Sequence, residues 1–210
     1  MKKYLFLILS IFTFLSVGTA SAKETEQTAK EAKELFTKVY DMVFGEKGSS
    51  LTYSVNIIGL YKTSGDIIYK GKKVNYKESR YLAWEDGVTA YMVDKKKKKV
   101  DIYNFDDDEK DEYLSKFKYD VNNFTYSSKT EGDYYLVTAK VKNSSFFGIR
   151  EATARVLRKN LHPVALTIKL ACFRTTVKIS NFHSGDIDDS RFTFPSKQFS
   201  NYKHTDHRKQ

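Results

Sequence analysis

Apolar residues recur at Ala32, Leu35, Phe36, Val39, Tyr40, Val43 and Phe44, while Glu31, Lys33, Glu34 and Lys38 fill positions between them. This spacing of three and four predicts a helix from about Glu26 to Phe44 with one oily stripe. Gly45 and then Gly48-Ser49-Ser50 end it and begin a turn. A striped helix must lay its stripe against another element, and the pattern that follows is that of a sheet.

From Leu51 the period changes to two. Leu51, Tyr53, Val55 and Ile57 alternate with Thr52, Ser54 and Asn56, as in a strand with one covered face. After Gly59 and Thr63-Ser64-Gly65, Ile67 and Tyr69 share a face, and Gly71-Lys72 turns the chain into Val74 and Tyr76. A strand over 80–85 leads to Asp86-Gly87, a hairpin signal, and then to a strand over 88–93. The basic connection 94–99 precedes Val100 and Ile102. Residues 104–116, with Asp106-Asp107-Asp108-Glu109, break the meander and suggest an excursion with a short helix ending near Phe117. Strands resume over 123–127, 134–141 and 151–157. Leu161-His162-Pro163 connects to Val164, Leu166 and Ile168, and a long strand covers 174–182. Phe192 and Phe194 precede Pro195, and residues 196–210 read as a polar, mobile tail.

Ahead of the helix, Lys2 and Lys3 precede the apolar run Tyr4–Leu15 and the small residues Ala20-Ser21-Ala22, the layout of a secretory signal over 1–22. Its apolar core is short for a spanning helix. No cysteine follows the cut, so nothing there offers a thiol for lipid attachment, and an exported, unanchored product is expected. Removing 22 of the 210 residues leaves 188, which suits a single domain over 23–195. The net charge of +10 falls to +8 without Lys2 and Lys3, and favours weak attraction to anionic surfaces, lipid headgroups included. An exported protein gives no reason to expect nucleic acid. Cys172 stands alone in Leu170-Ala171-Cys172-Phe173; it reads as a small buried hydrophobe, and no internal disulfide is available. Fifteen Phe and fifteen Tyr let such a sheet curl around large side chains. Periodicity alone does not distinguish a packed core from a ligand cavity.

Two blocks carry a resemblance. One runs from Gly65-Asp66-Ile67-Ile68-Tyr69-Lys70-Gly71-Lys72-Lys73-Val74-Asn75-Tyr76-Lys77 through Trp84-Glu85-Asp86-Gly87-Val88-Thr89-Ala90-Tyr91-Met92-Val93 to Val100-Asp101-Ile102-Tyr103. The other runs from His162-Pro163-Val164-Ala165-Leu166-Thr167-Ile168-Lys169 through Thr176-Val177-Lys178-Ile179-Ser180-Asn181-Phe182 to Phe192-Thr193-Phe194-Pro195. Together they resemble the central and closing regions of the periplasmic outer-membrane lipoprotein carrier family, the LolA type, with an order of elements that covers nearly the whole mature chain.

The resemblance implies a mainly β, α+β fold: a strongly curved antiparallel sheet or incomplete β-barrel covered by the N-terminal amphipathic helix and additional short helices. It implies a periplasmic carrier of acylated lipoproteins, loaded by an inner-membrane ATP-driven release complex and delivering towards an outer-membrane receptor, with transient membrane contact and no cofactor. The segment Lys70–Lys77 lacks the arginine such carriers place near the cavity mouth, and a lysine does not reproduce the planar donor fork of arginine. This marks a divergent member.

Moving acyl chains through water requires apolar cover, at about 0.8 kcal/mol per methylene. Candidate lining residues on the helix and alternating strands are Leu35, Phe36, Val39, Val55, Ile57, Ile67, Tyr69, Val74, Tyr76, Trp84 and Tyr91, together with Leu166, Ile168, Val177 and Ile179. The bland reading makes most of them permanent core. Trp84 and Tyr91 stand out because amphipathic rings border both oil and polar headgroups. The run Lys95, Lys96, Lys97, Lys98 and Lys99 reads equally as a contact for an acidic partner or anionic headgroups and as a solvated hairpin end. His204 and His207 with Asp206 read as exposed tail, and Asp106–Glu109 with Asp111 and Glu112 as a solvated acidic face, so no metal is expected. No glycine-framed serine and no phosphate-gripping loop nominates an enzyme. The alternative to a carrier is a periplasmic or secreted lipid-sensing or protein-interaction module with a filled core. The signal reading predicts that exported protein, sequenced from its amino end by mass spectrometry, starts at Lys23; a product retaining Met1 would contradict it.

Overall fold

In a computed structural model, the residues described are 26–57, 61–105, 123–142, 149–170 and 173–208. The signal segment, the acidic excursion after Phe105 and Cys172 lie outside them. The chain opens with helix α1 (Glu26–Phe44) and continues through β1 (Ser49–Ile57), β2 (Tyr61–Lys70), β3 (Lys73–Glu78), β4 (Tyr81–Glu85), β5 (Thr89–Asp94) and β6 (Lys99–Asn104). Then come β7 (Phe124–Glu131), β8 (Tyr134–Val141), β9 (Ile149–Leu157), β10 (Pro163–Leu170), β11 (Phe173–Ser184) and β12 (Lys203–Asp206). Two 3-10 turns, Asp189–Phe192 and Ser196–Phe199, lie between β11 and β12. The structure is mostly β. Contacts divide the chain, expected as one domain over 23–195, into two compact units.

The first unit holds α1 as far as Val39, the end of β1 from Ser54, and the strands from β7 to Ile179 of β11. Its strands lie in the order β11–β10–β9–β8–β7, each antiparallel to its neighbour. Val137 of β8 faces Ala154 of β9, and Tyr135 faces Val156, so these side chains share a face. The α1 stripe lies on that face. Val39, Val137 and Val156 are buried together, with Leu35, Phe36, Tyr135, Ala154 and Leu161 packed around them. The Phe36 ring meets Tyr126 of β7 at 5.2 Å. Burial of each valine contributes about 1.5–3 kcal/mol. Glu31, Glu34 and Lys38 stay exposed.

The second unit holds α1 from Tyr40, β1 as far as Tyr53, β2 from Thr63 onward, β3 to β6, and the chain from Ser180. Its order is β12–β6–β5–β4–β3–β2–β1. The β4–β5 hairpin turns where Asp86-Gly87 predicts it: Asp86 Oδ1 accepts from the backbone N–H groups of Val88 and Thr89, and Gly87 takes φ +94°. Gly48 combines φ +77° with a Cα so close to Ile187 and the Tyr69 carbonyl that a side chain there would meet both within 2.8 Å.

Register sets one face of this unit. Leu82 faces Val93, which faces Val100, and Trp84 faces Tyr91, which faces Ile102. The C-terminal segment covers this face with Phe194, Phe199 and Tyr202; Leu82, Val93, Val100 and Phe199 are buried together. Residues 196–210, expected as a polar mobile tail, therefore need correction over their described part. Phe199 is only 3% exposed, and Lys203–Asp206 pair in parallel with Lys99–Ile102 of β6. The side chains of this strand are polar, but its backbone bonds to β6, and backbone pairing leaves little trace in composition. Truncating Phe199 to alanine should lower unfolding free energy by about 3–5 kcal/mol in urea titration. A loss below about 0.5 kcal/mol, the size of an ordinary surface change, would contradict this packing.

Candidate functional site

The apolar face of the first unit continues beyond the α1 cluster. Ala154 of β9 faces Leu166 of β10, which faces Val177 of β11; Ala152 faces Ile168. Ile179 lies two residues beyond Val177 and so shares its face. Leu166, Ile168, Val177 and Ile179 are each half-buried, whereas Val137 and Val156 are fully enclosed beside α1. Four large aliphatic side chains thus extend a core face without being sealed into it. Leu35 and Phe36 are half-buried and Val39 is buried, all at the helix end of this face. Val55 is buried, and Ile57 closes β1. Arg150 is half-buried near the start of β9, where the pairing with β10 shifts register between Glu151 and Ile149.

In the second unit, Ile67 faces Tyr76 and Tyr69 faces Val74, which brings these four candidates to one face. The two tyrosines are already engaged. Tyr69 meets the Phe44 ring edge-on at 4.8 Å, and Tyr76 stacks on Tyr53 at 6.1 Å. The Tyr53 hydroxyl lies 2.8 Å from that of Tyr76 and 2.6 Å from Glu78 Oε1, which also accepts from Thr63 at 2.6 Å. Burial, then hydrogen bonding to Glu78 and Tyr53, pushes the Tyr76 phenol well above its ordinary value. Burial, with the nearby Glu85 charge, pushes Tyr69 up to about 12. Both phenols therefore stay protonated and serve as neutral hydrogen-bonding and packing groups rather than as bases.

Trp84 and Tyr91 do not join them. Because Ala83 faces Tyr76, the next residue, Trp84, points to the other side of the sheet. There Phe194 stacks on Tyr91 at 4.3 Å and meets Trp84 edge-on at 5.6 Å. The two rings singled out as headgroup contacts pack, half-buried, against the cluster under the C-terminal segment, a partner too distant in sequence for strand alternation to reveal.

The lysine run forms the β5–β6 turn. Lys98 takes φ +48°, and its carbonyl accepts from the Lys203 N–H at 2.9 Å. Lys95 Nζ donates to the Glu78 carbonyl at 3.2 Å, and Lys99 Nζ lies 2.6 Å from Asp101 Oδ1. Asp101 also meets His207 Nε2 at 2.7 Å, and the His207 ring stacks on Tyr103. Asp94, 3% exposed, receives Arg80 Nη2 at 2.8 Å and Nε at 3.2 Å, and the Lys97 N–H at 3.1 Å. Lys96 and Lys98 are exposed. Much of this run is therefore built into the hairpin end. Burial works to raise the Asp94 carboxyl, but the Arg80 guanidinium and the Lys97 N–H outweigh it and hold the group below its ordinary 3.8.

No protein-family model matches the chain, and no curated protein matches its sequence. Among solved structures, an uncharacterized conserved protein from Thermus thermophilus is similar with a TM-score of 0.56 at 7% identity, over 84% of this chain and 99% of that one. At that identity the likeness is one of fold. Similar structures also include a LolA superfamily protein from Nitrosomonas europaea, with a TM-score of 0.41 at 10% identity over 80% of this chain and 98% of that one. A DUF1329 family protein from Desulfovibrio piger has a TM-score of 0.43 at 13% identity over the same shares.

The depressed Asp94 carboxyl sets a pH dependence. Its ionised form is favoured in the folded chain, so its contribution is present above the ordinary value of 3.8 and fades as pH falls through the lower folded value. Urea unfolding should show Asp94→Asn less stable than the parent at neutral pH, with the gap closing as pH drops below 3.8. A gap that stays constant down to strong acid would contradict the assignment.

Proposed function

We propose that this chain is a periplasmic carrier that holds lipoprotein acyl chains against the apolar face of its first unit and moves them from inner to outer membrane. The observation that carries the reading is the half-buried row Leu166, Ile168, Val177 and Ile179, which prolongs a fully packed face. Permanent core would normally be enclosed on such a face; aliphatic side chains left partly accessible suit a guest of the same chemistry. The guest lies beside α1, whose own stripe already packs on β8 and β9.

The resemblance of the two sequence blocks to the LolA type supports the same reading. It supplies the expected direction, with loading at an ATP-driven release complex of the inner membrane and delivery at an outer-membrane receptor. Each methylene taken from water contributes about 0.8 kcal/mol, and nearly the same amount is recovered when the chain enters a bilayer. A carrier of this kind both accepts and surrenders its cargo because the two environments are closely matched.

Protein purified gently and analysed by native mass spectrometry should carry acylated ligand, and delipidated protein should take up a fluorescent acyl probe. Leu166→Asn with Ile168→Asn should weaken uptake at least tenfold, since two aliphatic contacts are worth about 1.5–3 kcal/mol each. Trp84→Phe, in the other core, should leave uptake unchanged. Delipidated protein that takes up neither probe nor lipoprotein would overturn the carrier reading in favour of an interaction module with a filled core.

A further inference from the structure

On the face of the first unit opposite α1, the register aligns one hydroxyl from each of five strands. Ser127 faces Thr138, Thr138 faces Thr153, Thr153 faces Thr167, and Thr167 faces Thr176. The Thr138 and Thr153 hydroxyls lie 2.8 Å apart and those of Thr167 and Thr176 3.0 Å apart. Neighbouring strands are about 4.8 Å apart, so the hydroxyls repeat at that interval across the sheet.

Cations flank this row on both sides. Two residues along the strands in one direction stand Lys140, Lys169 and Arg174; in the other stand Lys129, Arg155 and Lys178. All but Lys169 are exposed, and Lys169 is half-buried. Each flank runs about 7 Å from the hydroxyls. The carboxylates on this face are Glu131, 3.8 Å from Arg155, and Glu151, 3.9 Å from Arg174. These solvent-exposed pairs are weak. Six cations against two carboxylates leave the face strongly positive among the described residues.

Threonine is common on exposed sheet faces for reasons of strand propensity, and a hydroxyl row alone would say nothing. Its position between two cationic rows gives it direction. The donors do not converge on one point, as they would for a single small anion. They repeat along a surface, as the phosphates of a lipid leaflet do. We infer that this face docks the protein onto a bilayer of anionic phospholipids, its lysines and arginines pairing with phosphates while the hydroxyls bond to headgroup oxygens. The inference rests on the export reading above but not on acyl binding. The apolar face of the same sheet stays on the other side for cargo.

The full mature chain, co-sedimented with vesicles of phosphatidylglycerol and phosphatidylcholine in equal parts, should bind at low salt, release as salt rises, and ignore pure phosphatidylcholine. Each cation near such a surface is worth about fivefold in binding, so Lys140→Gln, Lys169→Gln and Lys178→Gln together should weaken it about 100-fold. Acyl-probe uptake by this variant should be unchanged. Lys96→Gln with Lys98→Gln, in the β5–β6 turn, should keep wild-type vesicle binding. If the triple variant loses its fold by circular dichroism, Lys178→Gln alone, with a loss of about fivefold, decides the matter. Undiminished binding by the outer-face variant, equal losses from both sets, or equally tight binding to a soluble acidic polysaccharide would overturn the bilayer assignment. Vesicle binding without acyl uptake would overturn the carrier reading and leave the docking face standing.

Discussion

Thr153 faces Thr138 and Thr167, while the next residue, Ala154, faces Val137 and Leu166. That one-residue alternation across β8, β9 and β10 is the constraint on which the rest depends. A slip of one position would send Val137, Val156 and Leu166 to the cationic face and Thr138, Thr153 and Thr167 to the α1 face. The register is held by burial: Val137 and Val156 are fully enclosed against Val39, and reversing them would expose them to water. Helix packing thus fixes the strands, and the strands fix which residues meet a guest and which meet a charged surface.

The second unit solves a different problem. Its sheet also has two faces worth covering, and on one of them the cover is supplied by the end of the chain. Phe192 and Phe199 are buried, and Phe194 lies between the rings of Tyr91 and Trp84. Lys70 and Lys73 both reach Asp189, at 2.8 and 2.9 Å, while Asn75 donates to the Arg191 carbonyl, so polar contacts fix the entry of the segment. The β12 strand then secures its exit along β6. The opposite face carries buried acids, Glu78, Asp94 and Asp101, each given hydroxyl or cationic partners, as buried carboxylates require.

How much of this was legible in the sequence follows from the range of the interactions. Strands with strict alternation, such as the one bearing Leu166 and Ile168, and turns with a dedicated dipeptide, such as Asp86-Gly87, announce themselves within a few residues. The packing of Trp84 and Tyr91 was not legible because their partner Phe194 is about a hundred residues away, and nothing local says which face a returning segment will cover. The strand over 203–206 was not legible because a short parallel strand is held by backbone bonds rather than by an apolar pattern. The hydroxyl row was invisible for a related reason: each strand supplies one Ser or Thr to it, and only register brings the five into line.

The central claim concerns one surface, the half-buried aliphatic row of β10 and β11. Photo-crosslinking of the delipidated chain with an acyl probe bearing a diazirine at its tail, followed by peptide mapping, reads that surface directly. The account predicts adducts concentrated on peptides carrying Leu166, Ile168, Val177 and Ile179. Adducts confined to the core around Trp84, or scattered evenly over the chain, would contradict it.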